Sequence, residues 1–511
     1  MIGQASTTSG LLPGYAEVVV VGTGFAGLGT AIALKKAGRQ DFVVLERADS
    51  VAGTWRDNRY PGCACDVPSH LYSFSFAPNP DWTRTFSPQP EIEAYLRTTA
   101  ADFGVLPHIR FGTELLEARW IDADQQWLIT TSEGVIRCRY LVLGTGPLSE
   151  PSLPVIPGLD SFTGTTFHSA TWDDAHDLTG ENVAVIGTGA SAIQFVPHVQ
   201  QACGQLQLFQ RTAPWVMPRR DRAISRAERR LYRAVPAAQK LNRAGIYAMR
   251  EGMLLGFTRA RFVMKLGERV ASRHLQAQVS DPVKRAKLLP DYTLGCKRVL
   301  LSNAYYPALD QANADIVTDA IVEVLAAAIV TEDATGLRTE HPTDTIIFGT
   351  GFRVTDPPVA ERIVGRNGVR LSELWSTAGM AAHRGLTLAG FPNLFLLVGP
   401  NTGLGHTSIV LMVEAQVGYL MDALAQLDAR GLGSLEPTQR AQDDWNDGVQ
   451  RQLQGTVWNT GGCSSWYLDA RGRNTTLWPT HTFTFSRAMA TCDLGEYSTV
   501  VRRAAPAALA F

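Results

Sequence analysis

The chain has 511 residues, 45% of them hydrophobic and 19% charged, which is enough apolar mass for several cores at roughly 100–200 residues per domain. A formal net charge of -1 excludes a global field that would draw in nucleic acid. Seven cysteines without a paired CxxC spacing read as reduced thiols of a cytoplasmic protein with no metal site, and the N-terminus MIGQASTTSGLLPG lacks the charged and apolar regions of a signal peptide.

In chain order, Glu17–Val21 is a β-branched run of the kind that forms a buried parallel strand. A helical pattern follows from Leu28 to Ala37, closed by Gly38, and then a second strand, Phe42–Leu45. Further strands are expected at Tyr140–Leu143, Thr345–Phe348 and Leu394–Val398, the last leading through a Gly-rich turn into a helix from Ser408. A second strand–helix–strand unit starts at Val183, with its helix from Ser191 and its closing strand at Leu206–Phe209. Two of these strands run into the same tripeptide, Gly144-Thr145-Gly146 and Gly349-Thr350-Gly351. Residues 219–289 form a basic block with few strand signals, read as a helical insertion. The stretch Ile246–Met264 is interrupted by Arg250, Glu251, Arg259 and Arg261, so no transmembrane segment is expected there.

Gly22-Thr23-Gly24-Phe25-Ala26-Gly27 is GxGxxG after a strand and opening a helix. The first glycine permits the tight turn, the second lets a pyrophosphate approach the backbone, and the third allows close helix–strand packing. Helix amides then face the phosphates, and Glu46, about twenty residues on at the end of the next strand, suits ribose hydroxyls. Gly187-Thr188-Gly189-Ala190-Ser191-Ala192 repeats the pattern as GxGxxA, but its following strand ends in Gln210-Arg211-Thr212. An arginine there pairs with a 2′-phosphate where an acid would repel it, which points to NADPH at the second site. Two such sites suggest FAD at the first and NADPH at the second. The fold class expected is α/β, with two Rossmann-like dinucleotide-binding domains and a helical insertion in the NADP domain. The expected boundaries are FAD domain 1–148, linker 149–175, NADP domain 176–340 with its insertion at 219–289, and the second part of the FAD domain with the C-terminal region at 341–511.

Between the two units lies Phe162-x-Gly164-x-x-x-His168-x-x-x-Trp172-Asp173. This resembles, at every fixed position, the FxGxxxHxxxW fingerprint of Baeyer–Villiger monooxygenases, followed by Pro or Asp. Ala52-Gly53-x-Trp55, Tyr60-Pro61-Gly62 and Asp66 resemble the family's second signature. The resemblance runs from Val18 to about Phe485 and implies a class B flavoprotein monooxygenase of the type with FAD and NADPH on one polypeptide. In that family NADPH reduces FAD, the reduced flavin adds O2 at C4a, and the resulting peroxide inserts one oxygen atom next to a ketone carbonyl to give an ester or lactone, with sulfide oxidation as a side activity.

The resemblance assigns roles residue by residue. Arg298, in Cys296-Lys297-Arg298 ahead of Tyr305-Tyr306, is the catalytic cation beside the flavin peroxide, and Asp66 positions it. Gly22, Gly24, Phe25, Ala26, Gly27, Glu46, Thr54, Trp55, Tyr60, Asp66, Tyr72 and Thr402 are the expected FAD contacts, with Thr402 at the flavin's N1–O2 edge. Gly187, Thr188, Gly189, Ser191, Ala192, Arg211, Thr212, Lys297, Arg298 and Trp466 are the expected NADP contacts. His168 either organises the linker through backbone contacts, touches a cofactor directly or is a satisfied structural histidine; Trp172 anchors packing, and His406 is either a pocket residue or a helix cap. The partners implied are a small ketone and O2. Two rivals stay open at this point: a class B relative performing N- or S-oxygenation, and a flavoprotein that does not oxygenate at all. The basic block has three readings: part of the substrate tunnel, a surface for a membrane or partner, or a solvated face.

Overall fold

The computed structural model describes residues 11–503, so part of the N-terminal stretch read above lies outside it. The first sheet has a parallel centre. Tyr15–Val21 pairs with Phe42–Leu45 on one side and with Gly134–Leu143 on the other, and Leu394–Leu396 pairs in parallel with the far end of Gly134–Leu143. These central strands are apolar on both faces, with Val18, Val19, Val20 and Leu141 fully buried, as a sheet covered on both sides requires. The near end of Gly134–Leu143 joins an antiparallel extension formed by Gln126–Thr131 and Leu115–Ile121.

The second sheet is entirely parallel, in the order Ala314–Val317, Gln205–Phe209, Asn182–Ile186, Thr345–Phe348, Thr165–His168. Two expected boundaries move as a result. Thr345–Phe348 belongs to this second sheet, so the chain returns to the first domain at Gly349–Gly351 and not at 341. The expected linker at 149–175 also contributes to this second sheet, because Thr165–His168 forms its edge strand.

The repeated Gly-Thr-Gly turns have a shared cause. A Cβ on Gly22 would sit 2.7 Å from the Gly144 carbonyl oxygen, and one on Gly187 would sit 2.4 Å from that of Gly349. Each crossing segment therefore packs on the first glycine of a phosphate-binding turn, and both glycines also hold positive φ, at 97° and 113°.

The basic block forms the helices Arg226–Ala234, Pro236–Thr258, Arg261–Gln278 and Pro282–Lys287. Ile409–Ala429 is, among the described residues, the one helix long and apolar enough to cross a membrane, but Val410, Met412, Val413 and Leu420 are buried in the first domain's core, where the helix packs on Phe25–Lys36.

Candidate active site

A cavity of about 1340 Å³ runs between the two sheets and is lined by both glycine turns, exceeding the ~300–1,000 Å³ of an ordinary small-molecule pocket. At the first turn, the Thr23 amide and hydroxyl donate to Glu46 at 3.0 and 2.5 Å, and Arg56 lies 3.2 Å from the same carboxylate. The acid is thus buried, oriented and on the lining.

The three glycines divide the labour. A Cβ on Gly27 would fall 1.8 Å from the Gly22 carbonyl oxygen, so that glycine serves helix–strand contact. A Cβ on Gly24 would meet no atom within 4 Å, so nothing in the protein itself requires glycine there. Gly24 has φ -72°, open to any residue. Its bareness fits a bound pyrophosphate at the amino end of helix Phe25–Lys36, and the donor set fits FAD.

Thr54, Trp55, Tyr60 and Tyr72 all reach the cavity. The Trp55 indole donates to the Tyr72 hydroxyl at 3.1 Å, and the Tyr60 hydroxyl donates to Gln194 Oε1 at 3.1 Å. Gln194 Nε2 donates in turn to the Ala64 carbonyl at 2.9 Å, which ties the Tyr60–Asp66 segment to the second domain.

Asp66 and Arg298 meet in a two-pronged pair: Nε donates to Oδ2 at 2.5 Å and Nη2 to Oδ1 at 2.6 Å. Both line the cavity, with side chains 26% and 32% exposed. The carboxylate raises the already high pKa of the guanidinium. Burial pushes the Asp66 carboxyl up, but the Arg298 cation outweighs it and holds the acid below its usual range. The pair is therefore charged at any working pH. Sequence reading missed Arg250, whose Nη2 donates to the Asp66 carbonyl at 3.1 Å from the helical insertion. Tyr467, fully buried beside the pair, was missed as well.

At the second turn, Gly187, Thr188, Gly189, Ser191, Arg211, Thr212 and Lys297 line the cavity, and Ala192 is buried behind them. Burial, and then the nearby Arg211 cation, lowers the pKa of Lys297, as two cations facing one anion site would show. Trp466 is 44% exposed and also reaches the lining.

Some expectations need correction. Thr402 is off the lining: its hydroxyl donates to the Gly399 carbonyl at 2.7 Å, while Gly403 and Leu404 face the cavity. His406 is neither a pocket residue nor a cap, since it lies buried 3.6 Å from Glu251 and Ser408 caps the following helix. The cysteines are not all reduced. Cys296 and Cys463 form a disulfide, which joins the residue before Lys297-Arg298 to the loop leading to Trp466. The other five thiols are buried, and burial pushes that of Cys63 up to about 12.

The fingerprint residues stand outside the cavity. His168 is buried, its Nδ1 accepts from the Ala170 amide at 3.1 Å, and its ring packs edge-on against Phe352 at 5.6 Å, next to the second crossing. Gly164 is required because a Cβ there would lie 2.1 Å from the Asp344 carbonyl oxygen and 2.6 Å from the Phe162 ring. Trp172 packs between Phe167 and Phe195 at 5.1 and 5.3 Å, and Asp173 accepts from the Ala175 amide.

Two dinucleotide turns opening on one cavity with a fixed cation define a flavin- and nicotinamide-dependent oxidoreductase. The sequence profile of the pyridine nucleotide-disulphide oxidoreductases matches residues 19–229. A Baeyer–Villiger monooxygenase of Streptomyces coelicolor is 53% identical over 494 residues, covering 96% of this chain and 94% of its own. An oxidized steroid monooxygenase bound to NADP superposes at TM-score 0.82 with 31% identity, covering 95% of this chain and 100% of that one. The OTEMO complex with FAD and NADP superposes at 0.84 with 27% identity, covering 95% and 99%. The chain belongs to the Baeyer–Villiger monooxygenases and uses FAD and NADPH.

Proposed function

We propose that this enzyme inserts one oxygen atom of O2 beside a ketone carbonyl to give an ester or lactone, with Arg298 as the catalytic cation and Asp66 as its positioning partner. FAD supplies oxygen activation when bound, and NADPH supplies the hydride. The chain's own residues then have distinct tasks. Glu46 would accept hydrogen bonds from the ribose hydroxyls of FAD, and Gly24 would leave the backbone open to its pyrophosphate. Arg211 and Lys297 would hold the 2′-phosphate that separates NADPH from NADH.

Arg298 holds negative charge that develops on oxygen in the cavity, where low dielectric makes a fixed guanidinium worth several kcal/mol. Asp66 engages two of its nitrogens and leaves Nη1 without a partner on that carboxylate. His168 acts away from the chemistry, bracing the crossing at Gly349–Gly351 so that the two domains keep their relation.

The observation that carries this reading is the Asp66–Arg298 pair standing on the same cavity as both glycine turns. A ketone panel with NADPH and mass-spectrometric detection of esters tests it. Turnover of amines or sulfides alone would move the enzyme to the N- or S-oxygenating class, whereas sulfide turnover alongside esters is the expected side activity.

A further inference from the structure

The block 219–289 holds eighteen of the chain's 47 Lys and Arg but only five of its 48 Asp and Glu. All five acids are engaged within the protein. Asp221 pairs with Arg84, and Glu228 with Arg222. Glu251 accepts from His481 and the Thr482 amide, Glu268 accepts from the Leu294 amide, and Asp281 caps its helix. Among the described residues, no acid lies in ion-pair range of the exposed Arg226, Arg230, Arg259, Lys265, Arg269 or Arg273. A chain of net charge -1 thus gathers uncompensated positive charge on one block.

The long helix of this block is inverted. A surface helix ordinarily turns its apolar stripe inward and its charges to water. In Pro236–Thr258 three of the four charged side chains point in, Lys240 alone being exposed: Arg243 donates to the His70 carbonyl, Arg250 to that of Asp66, and Glu251 meets His481. Between Leu241 and Leu255 the exposed positions are instead Leu241, Ala244, Gly245, Ala248, Met249, Gly252, Met253 and Leu255, without one polar side chain. Leu241 is 75% exposed and Met249 62%, and on the next helix Phe262 is 74% and Leu266 59% exposed. A contiguous apolar face of this kind needs a covering partner.

Of the surfaces that could cover it, a second copy would bring the same cations against each other across a two-fold axis. Nucleic acid would take the cations and leave Met249, Met253, Phe262 and Leu266 wet. We infer that this face docks on a membrane surface carrying anionic lipid, with the apolar stripe at the acyl boundary and Lys265, Arg269 and Arg273 among the headgroups. The docked helix is the one that holds the Asp66 carbonyl through Arg250, so the lipid surface and the reaction cavity share one rigid element.

The test is co-sedimentation of FAD-loaded enzyme with vesicles of phosphatidylcholine alone or with about a third phosphatidylglycerol. Pelleting is expected with the anionic vesicles, falling about tenfold or more as salt is raised well past physiological strength, with little pelleting on phosphatidylcholine. The variant Met249→Glu/Phe262→Glu/Leu266→Glu is expected to lose vesicle binding about tenfold or more while keeping its ketone turnover in solution. Failure to pellet with either vesicle, or equal pelleting of wild type and variant, would overturn the inference. So would a wild-type mass of two chains that the variant reduces to one, which would assign the face to a second copy. If the variant does not fold, the lipid and salt comparison on the wild type decides alone.

Discussion

Replacing Cys463 by Ser removes the bond to Cys296, which closes a loop across a sequence separation of 167 residues. In the chain-entropy model, a bond across so long a loop restricts the unfolded chain by about 5 kcal/mol, an upper value for what the variant loses. At about 2.1 cal/mol/K of unfolding entropy per residue, a chain of 511 residues shifts its melting point by about 1 °C per kcal/mol, so a drop of up to about 5 °C is expected. Thermal unfolding with and without dithiothreitol measures it. Wild-type enzyme should melt lower in the reductant, whereas Cys463→Ser should melt at the same temperature in both. Alkylation under denaturing, non-reducing conditions should count five free thiols in the wild type, matching the buried Cys63, Cys65, Cys138, Cys203 and Cys492. Seven reactive thiols, or an equal response of both proteins to the reductant, would refute the cross-link. The bond also fixes the segment before Lys297-Arg298 to the loop carrying Trp466, so the variant should bind NADPH more weakly, read as a raised KM.

Three further outcomes follow from the site. Arg211→Ala should raise the KM for NADPH about tenfold or more while leaving that for NADH nearly unchanged, since only the former carries the 2′-phosphate that a charge-assisted contact of about 1.5–3 kcal/mol would hold; equal effects would remove Arg211 from that role. Gly24→Ala should fold and melt like wild-type apoprotein, because its Cβ meets no atom within 4 Å, yet lose the yellow absorbance of bound FAD. Asp66→Asn should cost about 3 kcal/mol, the low end for breaking a buried pair, because 26% of the Asp66 side chain is exposed. Its pH signature has a definite sign. The folded pKa of Asp66 lies below the unfolded value, so its stabilisation is complete above about pH 4 and fades as pH falls through the folded pKa. Acid unfolding curves of wild type and variant should therefore converge at low pH, and a constant offset would contradict the linkage.

What the sequence disclosed, it disclosed through local pattern. Phe42–Leu45 and Thr345–Phe348 were legible to the residue because four consecutive buried apolar side chains have few alternatives to a covered parallel strand. Periodicity is silent on which sheet a strand joins, and that is why Thr345–Phe348 was assigned to the wrong domain. The glycine turns and Glu46 were legible because each carries its steric or hydrogen-bonding reason within a short stretch. The Asp66–Arg298 pairing, 232 residues apart, came only from the family resemblance. The Cys296–Cys463 bond and the Arg250 contact link equally distant positions that no motif joins. Thr402 was misplaced because the turn after Pro400 folds its hydroxyl back on Gly399, a detail of backbone conformation in which Val398 and Asn401 hold positive φ. The inverted face of Pro236–Thr258 was hidden for a related reason. Composition marks the segment as basic and helical but does not say which side of the helix faces water, and only the partners of Arg243, Arg250 and Glu251 show which side is buried.

Arg298 as the cation of oxygen insertion is the role on which the proposed chemistry depends most. Arg298→Ala should be assayed with a ketone substrate, following ester by mass spectrometry alongside NADPH consumption and hydrogen peroxide. The expected result is a protein that keeps its FAD and is still reduced by NADPH but forms no ester. Ester formation at the wild-type rate in that variant would contradict a catalytic role for Arg298.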